Sequence, residues 1–176
     1  LHYGVFDDGD EPLSTATGAL TGRMIAAADF SPGLRVLDVG CGSGAPAREI
    51  AGRFGVEVVG ITTSTVGVET ARERTAETGV GGVTFEQRDG TDNGFDDESF
   101  DRAWVMESSH LMRDKAALVA ECARVLRPGG RLVLCDLVRW REIPFREVRD
   151  RRVDFAVLRE AFGDAHFVSL DDYAAL

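Results

Sequence analysis

The sequence predicts an α/β fold: a doubly wound, mostly parallel sheet with helices on both faces. Three observations predict it. Short apolar runs rich in β-branched residues alternate with helical patterns along most of the chain. The first strong run, Val36-Leu37-Asp38-Val39, ends with an acid and enters the tight turn Gly40-Cys41-Gly42-Ser43-Gly44. The 176 residues suffice for one domain with a sizeable core, and no repeat or low-complexity segment interrupts them.

The elements follow in order. Ser14 or Thr15 caps a first helix whose Leu20, Met24 and Ile25 fall at helical spacing. Ser31-Pro32-Gly33 turns the chain into a first strand at residues 34–39. A helix over residues 45–54 stops at Gly55. The second strand takes residues 56–61, and Ser64 caps a helix that reaches Thr78 and stops at Gly79. Residues 83–87 alternate as a third strand, residues 90–99 form an acidic loop, and residues 100–106 form a fourth strand. A helix over residues 114–126 leads to the turn Arg127-Pro128-Gly129-Gly130 and a fifth strand at residues 131–138. Beyond it, Pro144 suits the first turn of a helix, residues 153–162 have helical apolar spacing, and Ser169 caps a last helix.

Composition narrows the function. A formal net charge of −10 disfavours nucleic acid and anionic membrane surfaces, both of which need clustered Lys and Arg. No apolar run is long enough to span a bilayer. Cys41, Cys122 and Cys135 lack metal-type spacing, so no metal site is expected and a reducing cytoplasm is the simplest compartment. A homo-oligomer is compatible with the composition.

The glycine turn separates two ligand classes. A dinucleotide site uses G-x-G-x-x-G, whereas Gly40, Gly42 and Gly44 give G-x-G-x-G. A pyrophosphate wants donors and a positive helix end, and Asp38 would repel it. A sulfonium or ammonium would be attracted. The turn therefore suits a cationic amino-acid group.

Residues 36–44 resemble motif I of class I S-adenosylmethionine-dependent methyltransferases. Val58-Val59-Gly60-Ile61-Thr62-Thr63-Ser64 resembles their second strand, and Arg88-Asp89-Gly90 their adenine loop. Phe100-Asp101-Arg102-Ala103-Trp104-Val105-Met106-Glu107-Ser108 resembles the fourth strand and its exit. Leu126-Arg127-Pro128-Gly129-Gly130-Arg131-Leu132 resembles the L-[RK]-P-G-G turn. Upstream, His2-Tyr3-Gly4-Val5-Phe6-Asp7-Asp8 is similar to the H-x-G-[YF]-[WF]-[DE] lid of bacterial small-molecule methyltransferases, among which sugar and polyketide O-methyltransferases are nearest.

The resemblance implies a Rossmann-like core with strand order 3-2-1-4-5, S-adenosylmethionine as cofactor, and methyl transfer to a small molecule, foremost at a hydroxyl oxygen in natural-product biosynthesis. Three segments are expected: a lid and first helix at residues 1–33, a cofactor-binding core at 34–138, and an acceptor-side helical segment at 139–176. The family's last two strands would fall beyond Leu176, which makes the chain a fragment by this reading. The resemblance assigns cofactor contacts to Asp38, Gly40, Cys41, Gly42, Gly44, Asp89, Gly90, Met106 and Glu107. Thr62 and Thr63 stand where an acid usually meets the ribose, or else cap the next helix. Gly67 replaces a Gln common in the group. His110 and Asp136 are the candidate bases beside the acceptor, a histidine being suited because the side chain's unperturbed pKa is near neutrality. His166 reads as structural. The stretch holding Arg139, Arg141, Arg146, Arg149, Arg151 and Arg152 reads as a salt-bridged surface, with anion recognition as the alternative. Nitrogen or carbon acceptors, a cyclase or scaffold of this fold, and a nicotinamide oxidoreductase stay open.

Overall fold

The computed structural model describes residues 3–7 and 9–176; His2 and Asp8 of the lid motif lie outside the described residues. Five parallel strands form one sheet in the order β3-β2-β1-β4-β5. They are β1 (Arg35–Val39), β2 (Glu57–Thr62), β3 (Val83–Gln87), β4 (Phe100–Met106) and β5 (Leu126–Cys135). The helices are α1 (Leu13–Ala28), α2 (Ala45–Phe54), α3 (Thr65–Thr78), α4 (Lys115–Val125), α5 (Phe145–Asp150), α6 (Arg152–Phe162) and α7 (Leu170–Ala174).

Strand alternation splits the apolar residues between two cores. Val36, Val58, Trp104 and Met106 face α1, α2 and α3, where they meet Met24, Ile50 and Val68. Leu37, Val39, Ile61, Ala103 and Val105 face the other side, where α4 supplies Leu118, Cys122 and Val125. Burial on both faces explains why the central strands read as continuous apolar runs. Each buried aliphatic side chain contributes about 1.5–3 kcal/mol.

Helix ends follow local chemistry. Ser64 Oγ accepts the Gly67 N–H at 3.0 Å, and Asp114 Oδ1 accepts that of Ala117 at 2.9 Å. Gly55 and Gly79 close α2 and α3 in the left-handed conformation. Ser169 and Asp172 form a reciprocal capping box on α7.

Four expectations are corrected. Neither Ser14 nor Thr15 caps α1. Pro12 does, its carbonyl accepting from Thr15 N and Ala16 N, so the helix begins one residue before Ser14. Leu34 and Val56 precede β1 and β2, and β2 gains Thr62 through its pairing with Gln87. The Arg127–Gly130 turn is an irregular passage inside β5. Leu126 pairs with Phe100 and Arg131 with Arg102, so the extra residues bulge past Asp101, whose carboxylate holds Arg127 Nη1 at 2.8 Å. Finally, β5 stops at Cys135, because β4 ends at Met106 and Glu107 turns away with φ +48°, leaving residues 136–138 without a partner strand.

The arginine-rich stretch is salt-bridged, as the charge pattern suggested. Arg139 pairs with Glu142, Arg141 with Glu147, Arg146 and Arg149 with Asp150, and Arg151 with Asp154. No helix among the described residues is long and apolar enough to cross a membrane.

Candidate active site

The carboxyl ends of β1, β2 and β4 open onto a cavity of about 670 Å³. Strand order reverses between β1 and β4, and in doubly wound sheets ligands bind at that crevice. Of the residues singled out in the sequence, Gly40, Cys41, Gly42, Thr62, Thr63, Asp89, Gly90, Met106, Glu107 and His110 line it. Asp38, Gly44 and Asp136 are not in its wall, although each abuts a residue that is.

The three glycines of the turn do different work. A Cβ on Gly44 would lie 2.4 Å from the Phe85 ring, and one on Gly40 would lie 2.3 Å from Ser108 Cβ, so these positions serve packing. A Cβ on Gly42 would meet nothing within 4 Å. Gly42 alone of the three thus has open space where a side chain would begin.

Asp38 is 3% exposed and pairs in register with Gly60 of β2 and Trp104 of β4. Its Oδ2 has no hydrogen-bond partner. Burial pushes its carboxyl up to about 7. A buried acid with an unsatisfied oxygen at the foot of a glycine turn is suited to a cation. Burial, then the Asp38 charge, also pushes the Cys41 thiol up, which makes it a poor nucleophile.

On the β2 side, Ser64 rather than Thr62 or Thr63 caps α3, so both threonines face the cavity without a capping role. Asp89 Oδ1 accepts from Thr91 N and Thr91 Oγ1, each at 2.8 Å, which fixes the loop after β3. Glu107 receives the Tyr3 N–H on both carboxylate oxygens at 3.0 Å, tying the N-terminal segment across the β4 exit. The Tyr3 ring packs on Phe162 of α6, with centroids 5.3 Å apart.

His110 lies in a short 3-10 turn after β4 and is 4% exposed. Its Nδ1 meets Asp136 Oδ1 at 2.6 Å, and its backbone N–H donates to Asp136 Oδ2 at 2.8 Å. Sequence reading set His110 and Asp136 as two candidates flanking an acceptor. The structure instead places Asp136, with a side chain 1% exposed, behind His110. Burial pushes the Asp136 carboxyl up, but hydrogen bonds from His110 and Ser109 outweigh it and hold the group below the usual carboxylate range. Phe167 stacks on the imidazole at 5.7 Å and Phe162 meets it edge-on at 6.2 Å. The His166 backbone N–H donates to the His110 carbonyl at 2.6 Å.

Sequence reasoning missed Phe162 and Ala161, which arrive from α6, and Ser108, whose hydroxyl donates to the Val39 carbonyl at 2.8 Å. Only Ser108 had a local signal, its place directly after the fourth strand.

Sheet order, glycine turn and buried acid together define a Rossmann-like methyltransferase fold of the S-adenosylmethionine-dependent class. The methyltransferase-domain family model matches residues 37–134. The chain belongs to this family, and S-adenosylmethionine is the cofactor of the class. It is 40% identical over 177 residues to 27-O-demethylrifamycin SV methyltransferase of Amycolatopsis mediterranei, covering 99% of this chain and 63% of the relative. It is 40% identical over 141 residues to methyltransferase GfsG of Streptomyces halstedii, covering 78% of this chain and 51% of that one. Among solved structures it resembles the [4+2]-cyclase SpnF, with 34% identity and a TM-score of 0.76 over 81% of this chain and 53% of that one. The chain thus spans between about half and two thirds of the length of these relatives.

The site fits the cofactor on its own observations. Gly42 is open, Asp38 Oδ2 is unsatisfied, and the cavity continues from Thr62 and Asp89 to His110.

Proposed function

We propose that this chain is the catalytic domain of a methyltransferase that modifies a hydroxyl oxygen on a small natural product. The carrying observation is His110, buried in the wall of a cavity whose other end suits the donor, with Asp136 hydrogen-bonded behind it. Gly42, Asp38, Thr62, Thr63 and Asp89 would hold the donor. S-adenosylmethionine, when bound, supplies an electrophilic methyl group on a sulfonium.

The chain's own residues then have defined tasks. An ionised Asp136 can only accept, so the Nδ1 proton of His110 stays on Nδ1 and Nε2 carries the lone pair. Nε2 takes the proton of the acceptor hydroxyl as its oxygen becomes nucleophilic. Asp136 steadies the resulting imidazolium. Phe162, Leu111 and Met112 give the acceptor end an apolar wall that limits water. A neutral amine attacks without such a base, which favours oxygen over nitrogen. A cytoplasmic setting fits the three free cysteines.

The test is incubation with S-adenosylmethionine and a panel of hydroxylated polyketides and sugars, read by mass spectrometry. A product heavier by one methyl group is expected, with kcat lowered by about 10²–10⁴ in His110→Ala. The likeness to a [4+2]-cyclase favours one second reading, cyclisation without methyl transfer. It predicts a product of unchanged mass.

A further inference from the structure

We propose that Tyr173 and Ser109 form, with Asp136, a directional hydrogen-bond chain that sets the proton affinity of His110 and so positions it for proton transfer. The inference rests on the reading of His110 as the base. Its own geometry is independent of the cofactor.

The direction of each bond follows from proton counting. Asp136 accepts four donors: His110 Nδ1, His110 N, Leu137 N at 2.7 Å, and the Ser109 hydroxyl. A serine hydroxyl has one proton, and Ser109 gives it to Asp136 Oδ2. The contact of 2.7 Å between Ser109 Oγ and Tyr173 Oη must therefore run from Tyr173 O–H to Ser109. The chain reads Tyr173 to Ser109 to Asp136, with His110 Nδ1–H closing on the same carboxylate. Ser109, the middle member, is 0% exposed. A hydroxyl that accepts a hydrogen bond becomes a better donor, so Tyr173 strengthens the bond from Ser109 to Asp136.

Other groups around His110 are already engaged. Lys115 Nζ, from α4, donates to the carbonyls of Ser109 at 2.6 Å and of Met112, and its charge lies on the Asp136 side. Glu107 holds Tyr3 N, and the His166 ring lies 3.5 Å from Asp164. Phe167 stacks on the His110 ring and Phe162 meets it edge-on, and neither brings charge. The Tyr173–Ser109 arm is thus the part of the network reached from outside the sheet. It couples the docking of α7 to the protonation of His110.

The sign is fixed. A carboxylate that loses a donor holds more negative charge and stabilises the imidazolium more. Tyr173→Phe should raise the His110 pKa by about half a unit, and Ser109→Ala by about one unit. Below that pKa, kcat/KM should fall about threefold and tenfold, with donor affinity unchanged. Asp136→Asn removes the anion and should move the pKa the opposite way.

The test is a ¹⁵N NMR titration of the His110 ring in the full chain, alongside pH profiles of kcat/KM for wild type and the variants. Upward shifts in Tyr173→Phe and Ser109→Ala, with a downward shift in Asp136→Asn, support the chain. A His110 pKa unmoved or lowered in both hydroxyl variants overturns it. If the NMR pKa moves as stated but the acid limb of kcat/KM does not follow, the network stands and the assignment of His110 as base fails. If Tyr173→Phe does not fold, Ser109→Ala carries the same test.

Discussion

Replacing Asp38 by asparagine should make this protein more stable at high pH and worse at holding its donor. The folded carboxyl titrates at about 7 because it is buried, whereas an unfolded Asp titrates at about 3.9. Between those values the folded state binds a proton that the unfolded state has released. Stability therefore falls as pH rises through the window from about 4 to about 7 and is level above it. The shift is about three units, so ionised Asp38 costs the fold on the order of 4 kcal/mol at pH 8. A side-chain amide cannot ionise, so the substitution removes that cost. Urea unfolding at pH 5 and pH 8 measures the effect. The stabilisation by Asp38→Asn should be larger at pH 8 than at pH 5 by about 2–3 kcal/mol, the part of the window between those pH values. On the proposed reading, in which the Asp38 charge attracts the donor's ammonium from behind the cavity wall, titration calorimetry with S-adenosylhomocysteine should show affinity reduced about 10–100-fold. An equal stability change at both pH values, or destabilisation at pH 8, would refute the assignment of a strained buried acid.

Other consequences are as direct. Gly42→Ala adds a methyl group to open space at φ +52°, so it should cost about 1–2 kcal/mol of stability yet weaken S-adenosylhomocysteine binding about tenfold or more, read by denaturation and calorimetry together. Gly44→Ala should do the reverse, losing about 3 kcal/mol or more because its Cβ would sit 2.4 Å from Phe85. Asp136→Asn should lower kcat by about 10²–10⁴ with little change in donor affinity, because it alters the tautomer of His110. Trp104→Phe should cost less than about 2 kcal/mol by chemical denaturation, since the lost packing is offset by removing an indole N–H that is buried without a partner.

The sheet was legible because both of its faces are buried, which turns β1, β2 and β4 into apolar runs bounded by turn residues. Ser64, Gly55 and Gly79 mark helix ends with chemistry that no packing has to supply. The two strand boundaries misread at β5 depend on a partner. Arg127-Pro128-Gly129-Gly130 has turn composition, yet Asp101 and Arg102 across the ladder hold it in the strand. The glycine turn was readable because one continuous segment, residues 36–44, carries it and brings Gly40, Cys41, Gly42 and Ser43 to the cavity wall. The surroundings of His110 were not. Asp136 meets His110 only because β4 and β5 are neighbours, and nothing in either segment states that their side chains bond to each other. Ser109 and Tyr173 are 64 positions apart, with no pattern to link them. Phe162 carried only the period of its helix, and that period does not say which cavity the helix ends beside.

By the proposed reading, a bare main-chain bend beside a buried acid holds the ammonium end of the methyl donor, a group that S-adenosylhomocysteine shares. Titration calorimetry of the protein with S-adenosylhomocysteine and, separately, with NAD tests it most directly. One saturable site for S-adenosylhomocysteine is expected, weakened in both Gly42→Ala and Asp38→Asn, with no heat from NAD. Saturable NAD binding, or S-adenosylhomocysteine affinity indifferent to both substitutions, would contradict it.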